Sequence, residues 1–188
     1  DEALRTLFVP ARALLDRLPP RKIWGAHSKE LAVNDEIDLD ELIAFLVAGG
    51  YASCSVVSDP GCFARRGGLL DVFFPMYADP VRIDFWGNHI ESIRFFDAAT
   101  QRTKHTTTKL SLGPVSTFLS TVETFQTARR SILEQGDLLG IPSSRIGALT
   151  ELLRSLRLSV GMEDLLPAFY PALETLFDYL PEDTVFVL

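Results

Sequence analysis

Apolar and polar residues alternate with a period of two through much of Gly50–Thr103, the signature of half-buried strands. The alternation predicts strands over Ser53–Val57, Cys62–Arg66, Leu69–Phe74, Val81–Trp86 and His89–Phe96. Gly67-Gly68 and Gly87-Asn88 punctuate them as two-residue hairpin turns. Such short connections favour antiparallel neighbours. Phe63, Leu70, Val72 and Phe74 can share one face, and Val81, Ile83, Phe85 and Ile90 one face of the next hairpin. Upstream, Leu7–Val9 reads as a strand and Pro10 as the first residue of a helix over Ala11–Leu18, stopped by Pro19-Pro20. Glu30–Val33 reads as a strand. Asp38 can cap a helix over Leu39–Val47 that Gly49-Gly50 ends. Its apolar face is read as Ile43, Leu46 and Val47, and it covers the inner side of the strands.

After Thr103 the period changes. Thr121–Leu138 and Ser143–Leu158 have helical apolar spacing, with Pro142 and Ser143 as a start signal. Leu152, Leu153, Leu156 and Leu158 belong to a core. Pro167 and Pro171 mark a loop, Ala172–Leu180 a short helix, and Thr184–Leu188 a strand of the kind buried in parallel sheets. The fold class is therefore α/β (α+β): a β-rich module with a covering helix, flanked by α/β segments.

Composition narrows the function. The chain has 188 residues, is 47 % hydrophobic and 23 % charged, and carries a net charge of −7. It can bury a core, and its acidity argues against a dominant nucleic-acid surface. Cys54 and Cys62 form no metal-knuckle or disulfide pattern and fit a reducing, cytoplasmic setting. No apolar run reaches the roughly 18 residues of a membrane span, and no leader is visible. Both ends look cut, as in a fragment of a longer protein.

The sequence holds no phosphate-binding Gly-Lys loop, no dinucleotide fingerprint, no zinc-protease box and no nucleophile elbow, so no cofactor is expected and no enzyme activity. Asp40-Glu41 reads as a charged first helical turn. In the Gly87-Asn88 hairpin, Trp86 should face His89 and Asp84 should face Glu91, which raises the question of a divalent site at Asp84, His89 and Glu91. The plainer reading is a solvated polar face with Arg82 diagonal to both acids. Alternation also sends Arg82 and Trp86 away from the core, with Arg66 closing the neighbouring hairpin. Arg and Trp are enriched at binding hot spots. The competing reading packs Trp86 under a loop and leaves the arginines in surface ion pairs.

Gly61-Cys62-Phe63-Ala64-Arg65-Arg66-Gly67-Gly68-Leu69-Leu70-Asp71-Val72-Phe73, then Pro80–Trp86, Ile90–Asp97 and Thr100-Gln101-Arg102-Thr103, resemble the signature of bacterial transcription-repair coupling factors. The excision-repair helicase UvrB shares several of these segments but usually lacks the Gln-Arg pair. The resemblance is strong over residues 48–104 and weaker but collinear elsewhere. It implies a discontinuous UvrB-like first domain (residues 1–25 and 114–188) with an inserted UvrA-binding domain (26–113). It implies UvrA as the partner, contacted by Arg66, Arg82 and Trp86, where the family commonly has Phe at the last position. It also implies that the rest of the parent protein can mask this surface. RNA polymerase and DNA would be engaged only through parts absent here. The alternative is a fragment of a UvrB-type helicase that contacts damaged DNA. Two departures stand out: Cys62 replaces the usual Glu, and Phe73-Phe74-Pro75 carries one extra residue.

Overall fold

The structure, a computed structural model, describes residues 6–119, 121–154 and 163–186. By internal contacts the chain divides into two compact units, Trp24–Phe125 and the described parts of Asp1–Ile23 with Gln126–Leu188. The elements in chain order are α1 (Arg21–Ala26), β1 (Lys29–Ala32), α2 (Leu39–Ala48), β2 (Ala52–Ser53), β3 (Cys62–Arg66), β4 (Leu69–Val72), β5 (Val81–Trp86), β6 (His89–Phe96), β7 (Thr103–Thr107), β8 (Lys109–Leu112), α3 (Val122–Leu138), α4 (Ser143–Arg154), α5 (Leu166–Phe169) and α6 (Leu176–Tyr179). Short 3₁₀ turns cover Ala11–Leu14 and Glu163–Leu165. The protein is mixed α and β, with a mostly antiparallel sheet.

That sheet runs β2-β3-β4-β5-β6-β7, and β1 pairs with β8 in a second, two-stranded sheet. All neighbours are antiparallel except β2 and β3. The parallel pair departs from the all-hairpin expectation. Residues 54–61 form a crossing loop, and the expected strand over Ser53–Val57 stops at Ser53, so that Val57 can plug the outer side of the sheet, where it is wholly buried. Glycine is required at the β3–β4 turn for two reasons. Gly67 has φ +62°, and a Cβ on Gly68 would lie 2.7 Å from the Phe85 carbonyl oxygen. The Gly68 carbonyl in turn accepts the Phe85 amide at 2.8 Å.

Pleating separates two cores. Phe63, Leu70, Val72, Val81, Ile83, Phe85, Ile90 and Ile93 face inward against α2 and against Leu31, Leu110 and Leu112 of the small sheet. Asp38 caps α2, its carboxylate accepting the Asp40 and Glu41 amides at 2.8 and 3.1 Å. The buried stripe of α2 is Leu39, Leu42 and Leu46 rather than Ile43, Leu46 and Val47. Spacing of three and four residues puts these leucines on one line, and Val47 falls outside it, about half exposed. On the outer face Val57, Ala64, Phe73 and Phe96 form a smaller cluster. The consecutive Phe73 and Phe74 thus serve opposite faces.

Other expectations needed revision. Leu7–Val9 forms no strand, and the helix expected over Ala11–Leu18 is one 3₁₀ turn with Pro10 as its N-cap. Leu18 is instead drawn into a reciprocal backbone pair with Glu174, at 2.8 and 2.9 Å. Pro19-Pro20 precedes a helix, α1, with the Pro20 carbonyl accepting the Ile23 amide. Strands β7 and β8 lie outside the strands that the alternation predicts. The helix expected over Ala172–Leu180 covers only Leu176–Tyr179, opened by a reciprocal Thr175–Asp178 capping box. Thr184–Phe186 is irregular rather than a strand, and residues 187–188 lie outside the described residues. Leu153 is buried as expected, whereas Leu156, Leu158 and the Leu152 side chain lie outside the described residues.

Candidate partner-binding face

The outer face of the large sheet is laid out by register. Ala64, Asp71, Arg82, Arg94 and Thr106 form one cross-strand row, and Arg66, Leu69, Asp84 and Ser92 the next. Beyond them Trp86 faces His89 across the second hairpin. Strand spacing of about 4.8 Å and a rise of about 3.3 Å per residue put Arg66, Arg82 and Trp86 within roughly 13 Å of one another.

The three residues differ in environment. Trp86 is 75 % exposed, and its cross-strand neighbour His89 is exposed too. Arg66 is exposed, with Nη2 donating to the Ser55 carbonyl at 2.9 Å, so the crossing loop steers its side chain. Arg82 is not a free surface arginine. Its side chain is 20 % exposed and that of Asp71 only 2 %. Nε donates to Asp71 Oδ1 at 2.6 Å and Nη2 to Oδ2 at 2.7 Å, a bidentate pair. The guanidinium carbon sits 4.8 Å from the centroid of the Phe96 ring. The hydrogen bonds to Asp71 raise the Arg82 pKa above its ordinary value, against the opposing effect of burial.

The metal reading of Asp84, His89 and Glu91 meets a register shift. A bulge between Asp84 and Phe85 sets Asp84 opposite Ser92 and skips Glu91, so the expected Asp84–Glu91 pair does not form. The Ser92 hydroxyl and Arg94 Nη2, the latter at 2.5 Å, both donate to Asp84 Oδ2. Arg94 therefore pairs with Asp84, while Arg82, read from the sequence as diagonal to both acids, pairs with Asp71. Among the described residues no group of three His, Cys, Asp or Glu side chains could hold a metal ion.

Asp71 is the residue that sequence reasoning passed over. The signal was present: a lone carboxylate between Leu70 and Val72, on the side of the strand opposite to both. An open recess of about 490 Å³ is lined by Glu91, Ser92 and Thr106–Thr108, among others, and includes none of Arg66, Arg82 and Trp86.

Comparison with known proteins agrees with the motif reading. Residues 30–118 match the UvrB interaction domain. Over 175 residues, 93 % of this chain, it is 38 % identical to a transcription-repair-coupling factor of Myxococcus xanthus. A Bacillus subtilis transcription-repair-coupling factor is 30 % identical over 97 % of the chain, and a Staphylococcus aureus one 38 % identical over 62 %. The chain spans 15 %, 16 % and 10 % of these three relatives. It belongs to the transcription-repair coupling factor family, as a UvrB-like N-terminal fragment carrying the UvrB interaction domain.

Proposed function

We propose that this chain is the module through which a transcription-repair coupling factor recruits UvrA to RNA polymerase stalled at damaged DNA. The module is non-catalytic; ATP-driven translocation and polymerase contact belong to other parts of the parent protein. Arg66, Arg82 and Trp86 form the contact, Trp86 as the desolvated anchor and the arginines as charge-assisted hydrogen-bond donors. The observation that supports this reading most is the indole of Trp86, 75 % exposed beside two arginines on a hydrogen-bonded sheet. An exposed Trp on a rigid element gives up much apolar surface on docking with little loss of conformational freedom. The rest of the parent protein can cover the same face and so gate access to UvrA. The setting is cytoplasmic, and among the described residues no helix is long and apolar enough to cross a membrane.

The decisive experiment is a binding titration of purified UvrA against wild-type chain and the variants Trp86→Ala and Arg66→Glu. Each variant should weaken capture by at least about 30-fold, as a hot-spot loss of roughly 2 kcal/mol requires. Its circular dichroism and melting temperature should stay at wild-type values, because neither side chain is buried. Wild-type affinity in both variants would remove this surface from consideration. A UvrB-type helicase fragment contacting damaged DNA predicts instead salt-sensitive DNA binding that these variants weaken.

A further inference from the structure

Arg82 is built differently from the other two residues of the face, and the difference points to an unassigned role for its neighbour. We propose that Asp71 is a positioning residue for partner recognition: it holds the Nε–Nη2 fork of the Arg82 guanidinium so that the end-on Nη1–Nη2 fork is presented, already oriented, to a carboxylate of the docking protein. The inference rests on the docking function above and adds the ligand chemistry and the residue that sets it.

The geometry constrains Arg82 on two sides. A guanidinium has two hydrogen-bonding forks, and Asp71 occupies the Nε–Nη2 fork with both carboxylate oxygens. Asp71 is fixed in turn, being 2 % exposed and directly opposite Arg82 in the β4–β5 register. The Phe96 ring lies under the guanidinium at 4.8 Å and restricts tilting. What remains is the end-on fork, one N–H of Nη1 beside the second N–H of Nη2. Among the described residues Nη1 donates no hydrogen bond, and the Arg82 side chain keeps 20 % of its surface exposed. That fork of two parallel N–H groups in a fixed plane matches an Asp or Glu carboxylate bidentately. Rotamer freedom that a surface arginine loses on binding is here already lost on folding. A lysine could answer Asp71 or the partner but has no second planar fork, so charge alone does not suffice.

The test is a double-substitution cycle read by UvrA titration, with melting temperature and the Arg82 Nε–H resonance of ¹⁵N-arginine-labelled protein as companion measurements. Asp71→Asn should weaken UvrA binding about tenfold and shift and broaden the Arg82 Nε–H signal. On an Arg82→Met background, Asp71→Asn should cost less than a further twofold, because the residue acts only through Arg82. Equal losses on both backgrounds, or wild-type affinity in folded Asp71→Asn, overturn the proposal. Should Asp71→Asn fail to fold, Asp71→Leu/Arg82→Met supplies an apolar replacement for the pair, and Arg82→Lys keeps the charge. Both should bind UvrA at least tenfold more weakly while melting near wild type, and wild-type affinity in either overturns the proposal. The docking reading fails separately, and visibly so, if wild-type chain does not capture UvrA or if both Trp86→Ala and Arg66→Glu capture it undiminished.

Discussion

Arg82 and Arg66 carry the same group and do different work. Arg66 is exposed and steered by a single carbonyl, whereas Arg82 is bonded twice to a buried carboxylate. Removing one partner of such a pair costs about 3–5 kcal/mol. Arg82→Glu, which also sets a second carboxylate against Asp71, should therefore lower the stability of the Trp24–Phe125 unit by roughly that amount. Chemical denaturation checks it, and an unchanged midpoint would contradict the pair's structural weight. For this reason Trp86→Ala and Arg66→Glu are the cleaner probes of docking. Cys54 yields a second prediction. Burial, and then the neighbouring Cys62 thiol, push its pKa up. A raised thiol pKa leaves less thiolate at neutral pH. Alkylation of Cys54 by iodoacetamide should be slower in native than in unfolded chain at pH 8, with the gap narrowing as pH rises; equal rates at pH 8 would refute it. At this scale the sequence was partly legible. Alternation alone sent Arg82 and Trp86 outward, and both do lie on the outer face. It could not show that Arg82 is tethered, because that depends on which β4 residue stands opposite, a fact of pairing rather than of pattern.

Pairing is also what decides the elements. β3, β5 and β6 run over the expected residues, although of the three only β5 buries a clean every-second-residue apolar set; β3 buries Phe63 and Ala64 in succession, and β6 buries Ile90, Ile93, Phe95 and Phe96, out of step at its bulges. β7 has no such set: Thr103–Thr107 is almost wholly exposed, and its inward contribution is His105 stacked 4.6 Å from Phe95. A polar edge strand looks like a loop in sequence. β8 does alternate, with Leu110 and Leu112 buried, but four residues give too short a signal to separate from coil. The bulge that skips Glu91 leaves no mark in composition at all. The glycine turns, by contrast, were plain. Gly68→Ala should be strongly destabilising, because its methyl would meet backbone rather than a yielding side chain. A drop in melting temperature of several degrees, with weakened UvrA capture through displacement of the Arg66 hairpin, is the expected result; a neutral substitution would mean that the hairpin relaxes freely. The α6 cap has its own pH dependence. Thr175 donates to Asp178 through both its amide and its hydroxyl, and these bonds hold the Asp178 carboxyl below its ordinary value. A depressed carboxyl stabilises above its unfolded pKa and stops doing so as pH falls through the folded value. Protection of the Thr175 amide should accordingly fade only below about pH 4. Loss at higher pH would contradict the cap.

Over the whole molecule, every residue of the proposed docking face lies within Trp24–Phe125, as do both cores of the large sheet. That unit produced alone should therefore fold and capture UvrA with affinity within a few fold of the full 188-residue chain; failure to bind would show that residues outside it contribute. Binding should also weaken as salt rises, because guanidinium groups supply part of the attraction despite a net charge of −7 on the chain. The division into units was less legible than the sheet. Helices α3 and α4 were visible by period, but the helix expected over Ala11–Leu18 is a 3₁₀ turn that buries no residue, and Leu166–Phe169, which Pro167 marks as loop, is too short to show a period. The consecutive phenylalanines 73 and 74 have one last implication. Each anchors a different layer, so the two sides of the sheet share a single count of residues along the chain. Deleting either phenylalanine would leave one ring to serve two layers and so strip one of them of its anchor, whereas the loop over residues 54–61 could lose or gain length on its outer turn with far smaller effect.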